Sequence, residues 1–315
     1  MMKRMSVYLI TGIGGFIGSS IARALLARGE TVRGVDNFCT GNRQNLADIR
    51  DNIDFREVDI TDLNAMRHAC AGVDYVFHEA AIPSVPKSVL DPLASNRVNI
   101  DGTVNLLVAA RDAKVKRVIY AASSSAYGDT PTLPKIESMK PDPISPYAVA
   151  KLASEQYMIS FYRCYGLETV ALRYFNVFGP RQDPSSPYSG VLAKFITSML
   201  RHEQPTIYGD GEQSRDFTYI DNVVEANLLA CLAPATQVAG QIFNIATGRA
   251  ISLNETFKVL QDMTSYSGKP KYESERSADI KHSLADISKA ETHLGYKPTV
   301  NFEDGLRRTV DWYRR

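Results

Sequence analysis

Short apolar runs rich in Val, Ile and Tyr alternate with longer stretches of helical periodicity over the first half of the chain. The strand-like runs fall at residues 7–10, 31–35, 53–58, 75–78, 117–121 and 169–173. Helical patterns between them cover 15–28, 63–71, 94–111 and 146–165. This alternation predicts a parallel sheet with right-handed crossovers. After Phe178 the texture changes, and Gly179-Pro180-Arg181-Gln182-Asp183-Pro184-Ser185-Ser186-Pro187 reads as a loop by composition. Short strands at 206–208 and 241–245 then mix with helices near 191–201, 222–231 and 253–264. The pattern predicts an α/β protein: a doubly wound parallel sheet with a smaller, mixed α/β lobe. The sheet domain is expected over 1–178, taking segments around 216–246 as well, and the discontinuous lobe over 179–315.

Composition narrows the class. With 44% hydrophobic and 23% charged residues, the 315-residue chain has an ordinary globular make-up. A net charge of +1 gives no field for nucleic acid or an anionic membrane, so neither is an expected partner. Cys39, Cys70, Cys164 and Cys231 are scattered without a CxxC, which fits reduced thiols in a cytoplasm. The basic start, Met1-Met2-Lys3-Arg4, leads into an apolar run that ends within a few residues at a glycine-rich turn, unlike a signal peptide. No stretch approaches the roughly 20 apolar residues that span a bilayer. His78-Glu79 begins like a zinc-protease motif, but position 82 is Ile, so no metal site is expected.

The first strand runs straight into Thr11-Gly12-Ile13-Gly14-Gly15-Phe16-Ile17-Gly18, and a helix follows. Glycines here permit a tight turn, close approach of backbone to a pyrophosphate, and close packing of helix on strand. The helix N-terminus then faces the phosphates. Asp36 ends the next strand, placed to accept from a ribose 2′-hydroxyl, which favours NAD over NADP. Arg33 and Arg43 lie nearby but do not replace that carboxylate. The sheet therefore reads as a Rossmann-like NAD-binding domain, and the lobe as a substrate-binding cap. Asp59-Ile60 ends the third strand at the edge that would meet an adenine. Ala80-Ala81 ends the fourth with small side chains past which a flat cofactor can lie.

Tyr147-Ala-Val-Ala-Lys151 carries the chemistry. Ser145 suits a helix N-cap and Pro146 the first helical position, so a phenol and an ammonium share one helix face. A phenol titrates at about 10 in water. A cation about 4 Å away, at an effective dielectric of about 20, is worth about 4 kcal/mol, enough to bring it near neutrality. The pair is then a tyrosinate general base. Ser123-Ser124-Ser125 ends the fifth strand, where a hydroxyl can share a substrate proton with Tyr147.

Together, Gly12/Gly15/Gly18, the HxAA-like His78–Ala81, Ser123, Tyr147-xxx-Lys151, Arg173-Tyr174-Phe175-Asn176 and Arg276 resemble the extended short-chain dehydrogenase/reductases. Within them the chain is most similar to the nucleotide-sugar 4-epimerases. It resembles the UDP-N-acetylglucosamine 4-epimerases in Ser84-Val85-Pro86-Lys87-Ser88, the triple serine and His282-Ser283-Leu284-Ala285-Asp286. The resemblance implies that Lys151 binds the nicotinamide ribose and lowers the Tyr147 pKa, with Ser123 assisting. It implies that Asn99, Tyr174 and Val177 line the nicotinamide, and that Phe16, Ile17 and Asn37 join the glycines and Asp36 on the cofactor. Asn176, Arg215 and Arg276 would hold the UDP diphosphate, with Tyr208 near the uracil and Ser84, Ser125, Gly190, Val191 and Ser283 also on the substrate. A homodimer through helices 94–111 and 146–165 is the family's usual assembly.

The implied reaction is a 4-epimerisation without net redox change: oxidation at C4, turning of the keto sugar, and return of hydride to the other face. Sister dehydratases and decarboxylases need carboxylates after the strand-end hydroxyl, where this chain has Ser124 and Ser125. A UDP-glucuronate 4-epimerase would differ only in a carboxylate-binding residue. A non-catalytic NAD sensor would typically lack the Tyr or the Lys. A small residue at Ser283 would admit a 2-acetamido group that a bulky aromatic there excludes.

Overall fold

The computed structural model describes residues 5–184, 190–275 and 280–315. Six strands follow in chain order: β1 (Val7–Thr11), β2 (Thr31–Asp36), β3 (Asp54–Glu57), β4 (Tyr75–His78), β5 (Arg117–Ser123) and β6 (Glu168–Tyr174). A seventh, Gln241–Ile245, pairs with β6 in parallel from far along the chain. The sheet order is Gln241–Ile245, β6, β5, β4, β1, β2, β3. All its pairs are parallel, as the alternation of strands and helices predicts. Strand order reverses between β1 and β4, which opens a crevice at their carboxyl ends.

Alternate strand residues feed two cores because successive side chains point to opposite faces. Tyr8, Ile10, Phe77, Ile119, Val170 and Leu172 face a layer that includes helix α1 (Phe16–Ala27) and the helix Ile220–Leu232. Leu9, Val76, Val118, Tyr120 and Ala171 face the opposite layer, which supplies Met66, Leu106, Leu107, Met158 and Phe161. Beyond β6, short strand pairs stand outside the seven-stranded sheet. Thr206–Tyr208 pairs with Lys271–Glu273, and Ser214–Asp216 pairs with Ala250–Ser252.

Two sequence expectations shift in detail. The helix expected over 94–111 runs without interruption from Pro92 to Asp112 but carries a π-turn at Arg97–Asp101 between Pro92–Asn96 and Gly102–Asp112. There the Asn99 carbonyl accepts from the Thr103 and Ser154 hydroxyls at 2.7 and 2.6 Å. The third strand stops at Glu57, so Asp59 stands in the following turn, accepting from the Thr61 N–H and hydroxyl.

The helix Pro146–Tyr165 begins where Ser145 and Pro146 predict: the Ser145 hydroxyl accepts from Ala148 N, and Gly166 ends it in the left-handed conformation. Beneath it, Glu155 and Arg173 form a bidentate ion pair at 2.7 and 2.8 Å, each residue about 1% exposed. Removing one partner leaves a buried charge uncompensated. Glu155→Ala is expected to lower the unfolding free energy by about 3–5 kcal/mol, read from urea denaturation. A loss below about 1 kcal/mol contradicts this.

Candidate active site

A cavity of about 750 Å³ lies along the carboxyl ends of the strands. The glycine turn forms its floor. Gly12 has φ +69°, and a Cβ there would lie 2.7 Å from the Ala80 backbone. A Cβ on Gly18 would lie 2.4 Å from the Gly12 carbonyl oxygen. The turn is therefore drawn tight against β4, with α1 pulled down onto it. No side chain caps α1 at Gly15, so its first N–H groups are open to the cavity. Asp36 ends β2 with Oδ2 accepting from Gly14 N at 2.8 Å and Oδ1 from Phe38 N at 2.7 Å. Burial pushes its carboxyl upward while those N–H groups draw it down. Asn37 donates to Asp59 at 2.8 Å, tying the ends of β2 and β3 into one rim. An open helix end, a glycine turn no side chain can enter and a carboxylate at the next strand end all fit a dinucleotide.

Most of the residues singled out in the sequence meet on this wall. They include Gly12, Gly15, Phe16, Ile17, Asp36, Asn37, Asp59, Ile60, Ala80 and Ala81 at one end. Ser84, Ser123, Tyr147, Lys151, Tyr174, Asn176, Val177 and Gly190 stand at the other. A second cavity of about 240 Å³ shares Asn176, Val177 and Gly190 with the first and is lined by Val191, Tyr208 and Arg215. Asn176 marks the junction. It adopts φ +34°, which asparagine tolerates better than most residues, and donates to the Asp216 carbonyl at 3.2 Å. Ser283 is 8% exposed, with Oγ 3.5 Å from Asn176 Nδ2. The Asp216 carboxylate accepts from Thr247, Gly248 and Ala285 N–H groups, which fixes the segment bearing Ser283 beside Arg215.

Four expectations are not met as stated, Ser283 among them, since it stands beside Asn176 and lines neither cavity. Asn99 does not line the cavity: its amide is clamped to the Ile82 backbone, accepting at 2.8 Å, and orders the loop behind the wall. Ser125 also lies off the wall, where it donates to Ser123 Oγ at 2.8 Å. Lys151 does not set the Tyr147 phenol in this arrangement. Its ammonium turns down to the Ala121 carbonyl at 2.8 Å and over the Tyr120 ring at 4.9 Å. Burial pushes Tyr147 up, and the Ser123 hydroxyl draws it down. Arg276 lies outside the described residues.

Sequence reasoning missed Glu79 on the same wall, because a lone carboxylate after a strand-end histidine carries no signal of its own. His78 is explained as structure: fully buried, it bridges Thr11 and Thr103 at 2.7 and 2.9 Å.

Residues 8–246 match the model of the NAD dependent epimerase/dehydratase family. The chain belongs to that family. It is an NAD-dependent enzyme of the extended short-chain dehydrogenase/reductase type. A Thermotoga maritima UDP-glucose 4-epimerase solved with UDP-glucose is 41% identical, with a TM-score of 0.93 over 98% of both chains. A Methanobrevibacter ruminantium UDP-N-acetylglucosamine 4-epimerase, in complex with UDP-N-acetylmuramic acid, is 42% identical, with a TM-score of 0.92 over 99% of both. A Thermodesulfobacterium geofontis UDP-glucuronate 4-epimerase is 35% identical over 98% of this chain and 96% of its own. Among the described residues no helix is long and apolar enough to cross a membrane.

Gly12→Ala should lose NAD affinity by at least about tenfold, or about 1.4 kcal/mol, because the added methyl meets the Ala80 backbone. Titration of cofactor-stripped protein with NAD checks this, and unchanged affinity in a folded variant contradicts it.

Proposed function

We propose that this protein is a UDP-sugar 4-epimerase whose substrates include UDP-N-acetylglucosamine and UDP-N-acetylgalactosamine. The observation that carries the reading is the meeting of Tyr147 and Ser123 with the glycine turn and Asp36 on one cavity wall. The likeness to three 4-epimerases that differ in their sugars supports the coarser statement. NAD, when bound, supplies the hydride acceptor and donor at C4. Tyr147, as its phenolate, would take the proton of the sugar 4-hydroxyl as the C4–H bond breaks, with the Ser123 hydroxyl, which draws the phenol's pKa down, holding the same oxygen. The 4-keto sugar turns about its diphosphate, and Tyr147 returns the proton as hydride re-enters from the other face. Atoms and electrons balance, so the cofactor ends as it began.

Asn176, Arg215 and Arg276 would grip the diphosphate, arginine being suited to a two-pronged hold on phosphate. Tyr208, Gly190 and Val191 would take the uridine, and Ser84 and Ser283 would border the sugar. Tyr174 and Val177 would flank the nicotinamide, and Lys151 its ribose. A second copy of the chain is expected over the helices Pro92–Asn96 and Pro146–Tyr165. Leu93 at 81%, Val149 at 49% and Tyr157 at 42% exposure support that expectation.

The test is conversion of UDP-N-acetylglucosamine, UDP-glucose and UDP-glucuronate by purified NAD-loaded protein. Interconversion of the acetamido pair is expected. No conversion despite bound NAD would favour a non-catalytic NAD-binding protein, and conversion of UDP-glucuronate alone would move the reading to that sugar. Ser283→Tyr should abolish turnover of the acetamido sugars and spare UDP-glucose, whereas equal loss on both removes Ser283 from specificity.

A further inference from the structure

Two carboxylates stand side by side where β2 and β3 end, because the strands pair in parallel with Asp36 opposite Glu57. Asp36 is buried and lines the cavity, whereas Glu57 is exposed just outside its wall. Phe38 takes φ +54°, a costly conformation for a bulky residue, while its N–H is held by Asp36 Oδ1 at 2.7 Å. This brings the Phe38 ring over the glycine turn. A Cβ on Gly14 would lie 2.7 Å from Phe38 Cε1 and 3.1 Å from Asp36 Oδ2. Arg43 stacks on that ring, its guanidinium carbon 4.1 Å from the centroid, and its Nη2 donates to Glu57 Oε1 at 2.6 Å. Asp36, Phe38, Arg43 and Glu57 thus form one run of contacts around the corner where a ribose 2′-hydroxyl would meet Asp36.

That corner separates two cofactors that differ by a single group. A 2′-phosphate would bring roughly two negative charges to the place of the hydroxyl. To accept it, a site needs a cation that is close and not already neutralised. Arg43 is close, but its charge is held first by the hydrogen bond to Glu57 and only then by Asp36. Its neighbours are committed elsewhere. Arg33 donates to Asp54 at 2.6 Å and to the Ala69 and Ala71 carbonyls at 2.8 Å. Arg56 donates to Asp54 and to the His68 carbonyl, and Arg50 stacks on Phe55. An exposed pair such as Arg43–Glu57 adds little to stability. Its place beside Asp36 gives it an electrostatic role instead.

We propose that Glu57 is a second cofactor-specificity residue: it holds and neutralises Arg43 beside Asp36, and so keeps out a 2′-phosphorylated dinucleotide. Asp36 selects by accepting the 2′-hydroxyl, and Glu57 by leaving no free cation for a phosphate in its place. This discrimination lies at the cofactor end and is the same whichever sugar is turned over.

The test is calorimetric titration of cofactor-stripped protein with NAD and with NADP at low ionic strength. Glu57→Gln keeps the length and an acceptor for Arg43 but removes the charge, which leaves a net cation beside Asp36. NADP should then bind at least about fivefold more tightly than to the wild type, with NAD changed by less than about twofold and the gain shrinking in salt. Adding Arg43→Gln should return the NADP affinity close to the wild-type value. A merely structural role would move both cofactors together and would not depend on Arg43. Unchanged NADP affinity in a Glu57→Gln protein that binds NAD overturns the proposal. So does a parallel change for both cofactors, or a gain that survives the loss of Arg43. Should Glu57→Gln fail to fold, Arg43→Gln alone gives the converse reading. A bared Glu57 should weaken NADP by about threefold or more with NAD unchanged, and a constant ratio of the two affinities overturns the proposal.

Discussion

The helix Pro146–Tyr165 is pinned to the sheet by polar contacts spaced along one face, and the site depends on that pinning. Tyr147 N donates to Ser88 Oγ at 3.0 Å, and Lys151 Nζ to the Ala121 carbonyl at 2.8 Å. Ser154 Oγ donates to the Asn99 carbonyl at 2.6 Å, Glu155 pairs with Arg173, and the Met158 carbonyl accepts from Thr169 at 2.7 Å. Positions 147, 151, 154, 155 and 158 share a helix face. An apolar face tolerates small slips, whereas unpartnered buried polar groups do not. A slip of one residue rotates the helix by about 100° and would carry the Tyr147 ring off the cavity wall. The register of the candidate base is thus set by hydrogen bonds made to β5, to β6 and to the π-turn at Arg97–Asp101.

The same burial that fixes the helix sets the electrostatics. Tyr147 is pushed up and Lys151 is pushed down, so each is moved toward its neutral form. Two groups work against that: the Ser123 hydroxyl on the phenol and the Glu79 carboxylate on the ammonium.

How much of this was legible in the sequence follows from which interactions are local. The turn Gly12–Gly18, the start of the helix at Ser145-Pro146 and the six early strands are set by neighbours in the chain, and they stand where the pattern predicts. Asp36 was legible because a strand end and a glycine turn fix its place. Contacts made across the fold were not. Nothing near Lys151 in sequence says that its ammonium meets Ala121 rather than the phenol. Nothing near Asn99 says that its amide turns to Ile82. Gln241–Ile245 reads as a short strand, but only long-range pairing puts it on β6. Glu79 meets the Tyr174 hydroxyl from 95 positions away in the chain.

In the proposed reaction, hydrogen leaves C4 of a sugar in this cavity and returns to the same carbon from the other side. Turnover of UDP-N-acetylglucosamine carrying deuterium at C4, in ordinary water, tests that most directly. The expected product is UDP-N-acetylgalactosamine with the deuterium still at C4. Product carrying protium from solvent at C4 would contradict it.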